Sequence, residues 1–143
     1  MSADRLVIFL HIPKAGGTTL LDVLQRLYPE GQMLSFNPLL CEFEHKPETE
    51  EYDRLSDDEK ARIELAAGHL YFGIHRALKR DAVYFTILRD PLERVISDYR
   101  FIIRSPWHPF HEEVTDKGMT VSDYVESGLA EMAIVDLAPR SWS

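Results

Sequence analysis

The 143-residue chain is 45% hydrophobic, 10% aromatic and 28% charged, which is enough apolar material for a substantial core and excludes a disordered segment. Its formal net charge of −8 argues against a nucleic-acid partner, which calls for a basic face, and against a long polyanionic acceptor. The single cysteine, Cys41, excludes an internal disulfide framework and suits a reducing compartment.

The first predicted element is a strand over 5–11, built on Leu6-Val-Ile-Phe-Leu10. That apolar run is far too short to span a membrane, and no signal peptide pattern precedes it, so the expected location is cytoplasmic. The segment His11-Ile-Pro-Lys-Ala-Gly-Gly-Thr-Thr19 follows, and then Leu20, Leu21, Val23, Leu24 and Leu27 recur at helical spacing, predicting a helix over 17–28. A strand, a glycine-bearing loop and a helix N-terminus present unpaired N–H groups and a positive dipole end beside the Lys14 ammonium. The glycines let the backbone approach an anion closely, and the threonine hydroxyls add donors. Lysine precedes the glycines here, the reverse of G-x-x-x-x-G-K-[ST], which disfavours an ATPase-type phosphate cradle. The bland alternative is a strand-to-helix turn with a solvated lysine.

An irregular stretch runs to about residue 55. Between Glu42 and Glu59 it holds nine acidic residues against Lys46 and Arg54, and reads as a solvated connection or, less simply, a screen against anionic acceptors. Ser56 and Glu59 form a capping-box pattern opening a helix over 56–66. A loop containing His69 follows, and His75 either lines an acceptor cleft or merely follows that loop.

Ala82 to Leu88 is rich in β-branched and aromatic residues and predicts a buried strand. Asp90, Pro91 and Glu93 then signal a helix over 91–104, with Leu92, Val95, Ile96, Tyr99, Ile102 and Ile103 on one stripe. Ser97 points away from it, near Arg94, Phe101 and Arg104. Arg89 emerges at the carboxyl end of the strand. On a bland reading it pairs with Asp90 or Glu93, and Ser97 is a solvated serine. His108 and His111, flanked by Trp107, Phe110, Glu112 and Glu113, lie in a loop with Pro106 and Pro109 and read as surface residues before metal ligands. A short helix over 121–130 is capped by Thr120, and residues 136–143 show no periodicity. Alternating strands and helices imply an α/β fold of three layers, P-loop-like, with a mainly parallel sheet flanked by helices. Ligands of such sheets gather at the carboxyl ends of the strands.

HIPKAGGTTL and TILRDPLERVISDYRF together resemble the sulfotransferases that use 3′-phosphoadenosine 5′-phosphosulfate (PAPS), most closely the carbohydrate-type branch that includes heparan sulfate 2-O-sulfotransferase. The resemblance covers most of residues 5 to 104. It implies that Lys14, Ala15, Gly16, Gly17, Thr18 and Thr19 bind the phosphosulfate end of the donor, and that Arg89 and Ser97, eight positions apart, bind its 3′-phosphate. Gly68-His69-Leu70-Tyr71-Phe72-Gly73 looks like the stretch that carries the catalytic base in related members. His69 is therefore the candidate general base, the alternative being a cap on the preceding strand or a partner for the acidic segment. A cation fixed beside the departing oxygen lowers the barrier to sulfuryl transfer, and Lys14 suits that role, while His69 would take the acceptor proton.

No metal is expected, since no aspartate-tipped strand suggests a magnesium site. The acceptor is a hydroxyl on a carbohydrate or small molecule. Sulfotransferases of this type usually continue well beyond their 3′-phosphate helix, so residues 1–143 read as a single domain, C-terminally truncated or minimal, and a homo-oligomer completing it fits that reading. Golgi relatives carry a membrane anchor, whereas this chain looks like a soluble version. Two alternatives accompany the reading: a module that binds the nucleotide without turnover, and a P-loop kinase-like phosphotransferase.

Overall fold

The computed structural model describes residues 5–36, 52–70 and 72–130. Four strands, β1 (Leu6–Leu10), β2 (Met33–Phe36), β3 (Leu65–Gly68) and β4 (Ala82–Thr86), form one sheet in the order β2-β3-β1-β4. Every pairing is parallel, with Val7 opposite both Leu65 and Val83, and Phe9 opposite both Ala67 and Phe85. Six helices are described: α1 (Gly17–Leu27), α2 (Asp57–Arg62), α3 (Ile74–Ala77), α4 (Pro91–Arg104), α5 (His111–Asp116) and α6 (Val121–Glu126).

β1 is paired on both sides and covered on both faces, hence its nearly unbroken apolar sequence; Leu6, Ile8 and Phe9 are fully buried. On one face Phe9, Leu65 and Ala67 pack under Leu24 of α1, with Leu20 and Leu21 beside it. On the other, Leu6, Ile8, Leu34, Phe36 and Ala66 meet Tyr52, Ile63, Leu70, Ile74 and Leu78. These are the three layers expected of the α/β class. A separate cluster joins Ile102 of α4 to Val114, Tyr124, Leu129 and Ala130.

Several boundaries differ from those predicted. The helix beginning after Ser56 has its full capping box, Glu59 N–H donating to Ser56 Oγ and Ser56 N–H to the Glu59 carboxylate. It stops at Arg62, because Leu65-Ala-Ala-Gly68 is drawn into the sheet between β1 and β2, where all four residues are buried. Burial there outweighs the helical preference of the alanines. β2 lies inside the stretch read as irregular, its short alternation burying Leu34 and Phe36. The strand predicted over 82–88 ends at Thr86, opposite Leu10, where β1 itself ends. It is not a buried strand either: Val83 and Phe85 are exposed on the outer strand of the described sheet.

The helix of Pro91–Arg104 matches its predicted limits, and the Asp90 carboxylate accepts from Glu93 N–H at 3.0 Å. Its buried stripe differs from expectation. Arg94, Asp98 and Ile102, spaced by four, face inward, while Leu92 is 67% exposed. α3 and α5 occupy segments predicted as loops, and the last helix ends at Glu126 instead of 130, although Thr120 caps it in a complete box with Asp123. Cys41, most of the acidic 42–59 segment and residues 136–143 lie outside the described residues.

Candidate active site

The loops leaving β1, β3 and β4 emerge side by side at the carboxyl end of the sheet, as a parallel arrangement requires. Between β1 and α1 the chain turns through two left-handed residues, Lys14 at φ 63° and Gly16 at φ 92°. Gly16 is the N-cap of α1, with no side chain capping the helix and no acidic residue in its first turn. Thr18 and Thr19 are exposed on that turn, while Ala15 is buried beneath it.

Gly17 is required sterically. A Cβ there would lie 2.1 Å from His11 Cδ2 and 2.5 Å from His11 Nε2, inside the imidazole. His11 in turn is 7% exposed, and its Nδ1 is buried without a hydrogen-bond partner. The sequence suggested a structural hydrogen bond for this residue; it is the backbone that makes one, His11 N–H donating to Gly68 O at 2.8 Å. The ring instead stacks on Phe9 and lies 4.5 Å, centroid to centroid, from the ring of His69.

His69 follows β3 directly. Gly68 sits at φ 146°, so close to β2 that a Cβ would lie 2.1 Å from Phe36 O, and Leu70 N–H donates back to Gly68 O. That tight turn fixes where the imidazole departs from the sheet. Burial, and secondarily the neighbouring His11, push the His69 pKa down to about 4, because low polarity penalises the charged form. The His11 pKa is also lowered by burial. Two uncharged imidazoles therefore lie together at neutral pH.

On the other side of β1 the two motif segments meet. Arg89, just beyond β4, donates from Nη1 to Lys14 O at 3.3 Å and from Nε to Glu93 at 3.3 Å. The bland expectation of an Arg89–Glu93 ion pair thus holds alongside the contact between the segments. The Lys14 amine lies 3.9 Å from the centre of the Phe101 ring, a cation–π contact. Its pKa is lowered by desolvation; Asp98 raises it, and Arg104 and Arg89 lower it further. Lys14, Arg89 and Arg104 held near one another, with Asp98 and Glu93 offsetting part of their charge, form a surface suited to an anion.

Ser97 is half-buried on α4, one turn before Phe101, with Arg94 three residues earlier. Beneath it Asp98 accepts from the Tyr124 hydroxyl at 2.9 Å in a buried contact, and burial followed by Asp98 raises the Tyr124 pKa. Arg94 Nη1 is buried without a partner. Asp98 and Tyr124 escaped the sequence reading, which noted Arg94 only as a neighbour of Ser97, although the i, i+4 spacing of Arg94 and Asp98 was the available signal.

The remaining histidines are tied into the scaffold. Tyr84 OH accepts from the N–H groups of Gly73 and His75 and lies 2.7 Å from His75 Nδ1. His108 Nδ1 accepts from Phe110 N–H, and His111 Nδ1 lies 2.8 Å from Ile102 O. Among the described residues no group of three or more His, Cys, Asp or Glu is placed to hold a metal ion, and no helix is long and apolar enough to cross a membrane. A cleft of about 380 Å³ lined by Tyr52, Asp57, Lys60 and Arg80 contains none of the motif residues. Arg80 there serves the backbone, donating to Lys60 O and Ile63 O at the end of α2.

Comparison gives the class: residues 1–131 match the sulfotransferase family, to which the chain belongs. A protein-tyrosine sulfotransferase of Arabidopsis thaliana is 32% identical over 105 residues, covering 71% of this chain and 18% of that protein. The chain thus spans less than a fifth of the length of that relative. No solved structure matches it. Membership of this family implies chemistry between a sulfate donor and a hydroxyl-bearing acceptor.

Proposed function

We propose that the donor is PAPS and that the chain moves its sulfuryl group to an acceptor hydroxyl, with Lys14 and His69 as the reacting side chains. The observation that carries this reading is the contact of Arg89 with the Lys14 carbonyl, which joins the two segments that would grip opposite ends of a bisphosphorylated nucleotide. Lys14, Ala15, Gly16, Gly17, Thr18 and Thr19 take the phosphosulfate end, using the uncapped start of α1 and the amine. Arg89 and Ser97 take the 3′-phosphate. The residues fit such a ligand: the cations converge on one loop, and no first-turn carboxylate repels it.

In the transfer, the acceptor oxygen forms a bond to sulfur as the bond from sulfur to the bridging phosphate oxygen breaks. Negative charge grows on that departing oxygen, and the Lys14 ammonium beside it stabilises the transition state more than the ground state. His69 receives the acceptor proton. Its low pKa leaves it unprotonated and ready at neutral pH, but makes it a weak base, so proton transfer is helped by the anionic donor bound nearby. No metal takes part in this scheme, and turnover should survive a chelator.

Thermal melts test the donor assignment, because a ligand that binds only the folded state raises stability by RT ln(1 + [L]/Kd). The 3′,5′-bisphosphate product should raise the midpoint for wild type and much less for Lys14→Ala. A shift with magnesium ATP alone would favour a phosphotransferase and sink the proposal. A shift with the bisphosphate but no sulfate transfer to any hydroxyl would leave a nucleotide-binding module.

A further inference from the structure

His11 is in contact with both the donor loop and the His69 ring. Leu10 pairs with Gly68 at the ends of β1 and β3, and His11 N–H donates to Gly68 O at 2.8 Å, so residues 11 and 69 leave the sheet at the same level. The two imidazoles meet with their centroids 4.5 Å apart, tilted by 36°. His11 Cδ2 and Nε2 fill the space that a side chain would need at Gly17, the first residue of α1. Phe9, fully buried, stacks on His11 within 15° of parallel and also on Phe85 of β4, which leaves the His11 ring little room to turn. Packing alone does not account for an imidazole in this place. Its Nδ1 is buried with no partner, a cost that an apolar side chain would avoid. What the imidazole offers is a rigid plane small enough to lie against Gly17 and His69 together.

Resting on the sulfotransferase reading above, we propose that His11 is a positioning residue for the transfer: its ring registers the His69 imidazole against the loop that holds the donor. His11 exchanges no proton with the acceptor and acts through His69. The turn at Gly68 sets where the chain leaves β3, but a backbone turn does not decide how the following ring is oriented. His11 supplies that second constraint, and because the same ring lies against Gly17, the base and the first turn of α1 are held at a fixed separation. A reacting group displaced by about 1 Å can lose on the order of 10²-fold in rate, so a spacer of this kind matters even though it touches neither reactant.

The test follows the His69 ring directly, in proton–carbon imidazole spectra of the full chain saturated with the 3′,5′-bisphosphate, with His69→Gln identifying its signals. Wild type should show a single fixed ring. In His11→Ala the His69 signals should broaden or split as the ring samples several rotamers, and their titration midpoint should climb from about 4 by about one pH unit or more as water reaches the ring. The melting shift with the bisphosphate should change little, because Arg89 still holds the Lys14 carbonyl. His11→Asn, planar and of similar reach, should restore a single set of signals. Rate is read on PAPS hydrolysis, in which the oxygen of water bonds to sulfur, its proton passes to His69, and the sulfur–oxygen bond to the 5′-phosphate breaks. Single-turnover sulfate release should fall about tenfold or more in His11→Ala. Removing His11 from His69→Ala should cost nothing further, since residues that act as one unit are not additive. An unchanged His69 spectrum in His11→Ala, or full additivity of the two substitutions, would overturn the positioning role and leave the donor and base assignments standing. A bisphosphate shift absent from wild type, or His69→Ala as fast as wild type, would overturn the underlying reading and this role with it.

Discussion

The two sides of β1 treat charge in opposite ways. Toward β3, His11 and His69 are packed ring against ring, and desolvation keeps both uncharged. Toward β4, Arg89 and Lys14 are held close by a carbonyl contact, and the Lys14 amine rests on the Phe101 ring in a cation–π contact. The separation follows from the sheet. β3 is an interior strand, buried on both faces, whereas the end of β4 opens to solvent. On the proposed mechanism a proton is removed at one end while negative charge accumulates at the other, and one central strand would supply both neighbourhoods.

His69→Ala tests the uncharged side most severely. With the donor bound as before, kcat should fall by roughly 10²–10⁴, the range for losing a general base, and single-turnover assays at saturating PAPS check it. A variant as fast as wild type would remove His69 from the chemistry.

The same residue should couple stability to pH. Its pKa falls from 6.5 to about 4 on folding, so between those values the unfolded chain binds more protons than the folded one. The contribution, on the order of 3 kcal/mol, is complete above about pH 6.5 and disappears as pH falls toward 4. Urea melts at pH 7 and pH 4.5 should show a steeper loss for wild type than for His69→Gln; parallel losses would mean that the ring is solvated.

Gly17→Ala probes the junction of the two sides. The new methyl would occupy the His11 ring, and crowding of this kind costs about 1–3 kcal/mol. Both the melting temperature and the bisphosphate shift should drop, and Gly17→Ala in a His11→Ala background should recover stability relative to Gly17→Ala alone.

The smallest effect belongs to the charged side. Glu93 occupies Arg89 in an exposed pair, and a phosphate must compete with it. Glu93→Gln should tighten bisphosphate binding about two- to fivefold, the scale of one surface ion pair, as measured by calorimetric titration at low salt.

Much of this arrangement was legible in the sequence because its signals are local. The Asp90-Pro91 start, the Ser56 capping box, the Thr120 cap and the glycine-bearing loop each declare themselves within a few residues, and each forms. What escaped depends on distant partners. Leu65-Ala-Ala-Gly68 continues a helical pattern until β1 and β2 are present to bury it. Leu92 fits an apolar stripe, yet the face that turns inward carries Arg94 and Asp98 because Tyr124 waits there. The proximity of His11 to His69 could not be inferred from spacing, since it comes from the register of two parallel strands.

The Arg89–Lys14 link also bears on speed. Segments 75 residues apart in the chain are moored together in the unliganded structure, so docking of the proposed donor should require little reshaping of the backbone. Encounter would then be governed by diffusion and by ionic steering toward the cationic loop, giving an on-rate that declines with added salt and not one limited by loop ordering.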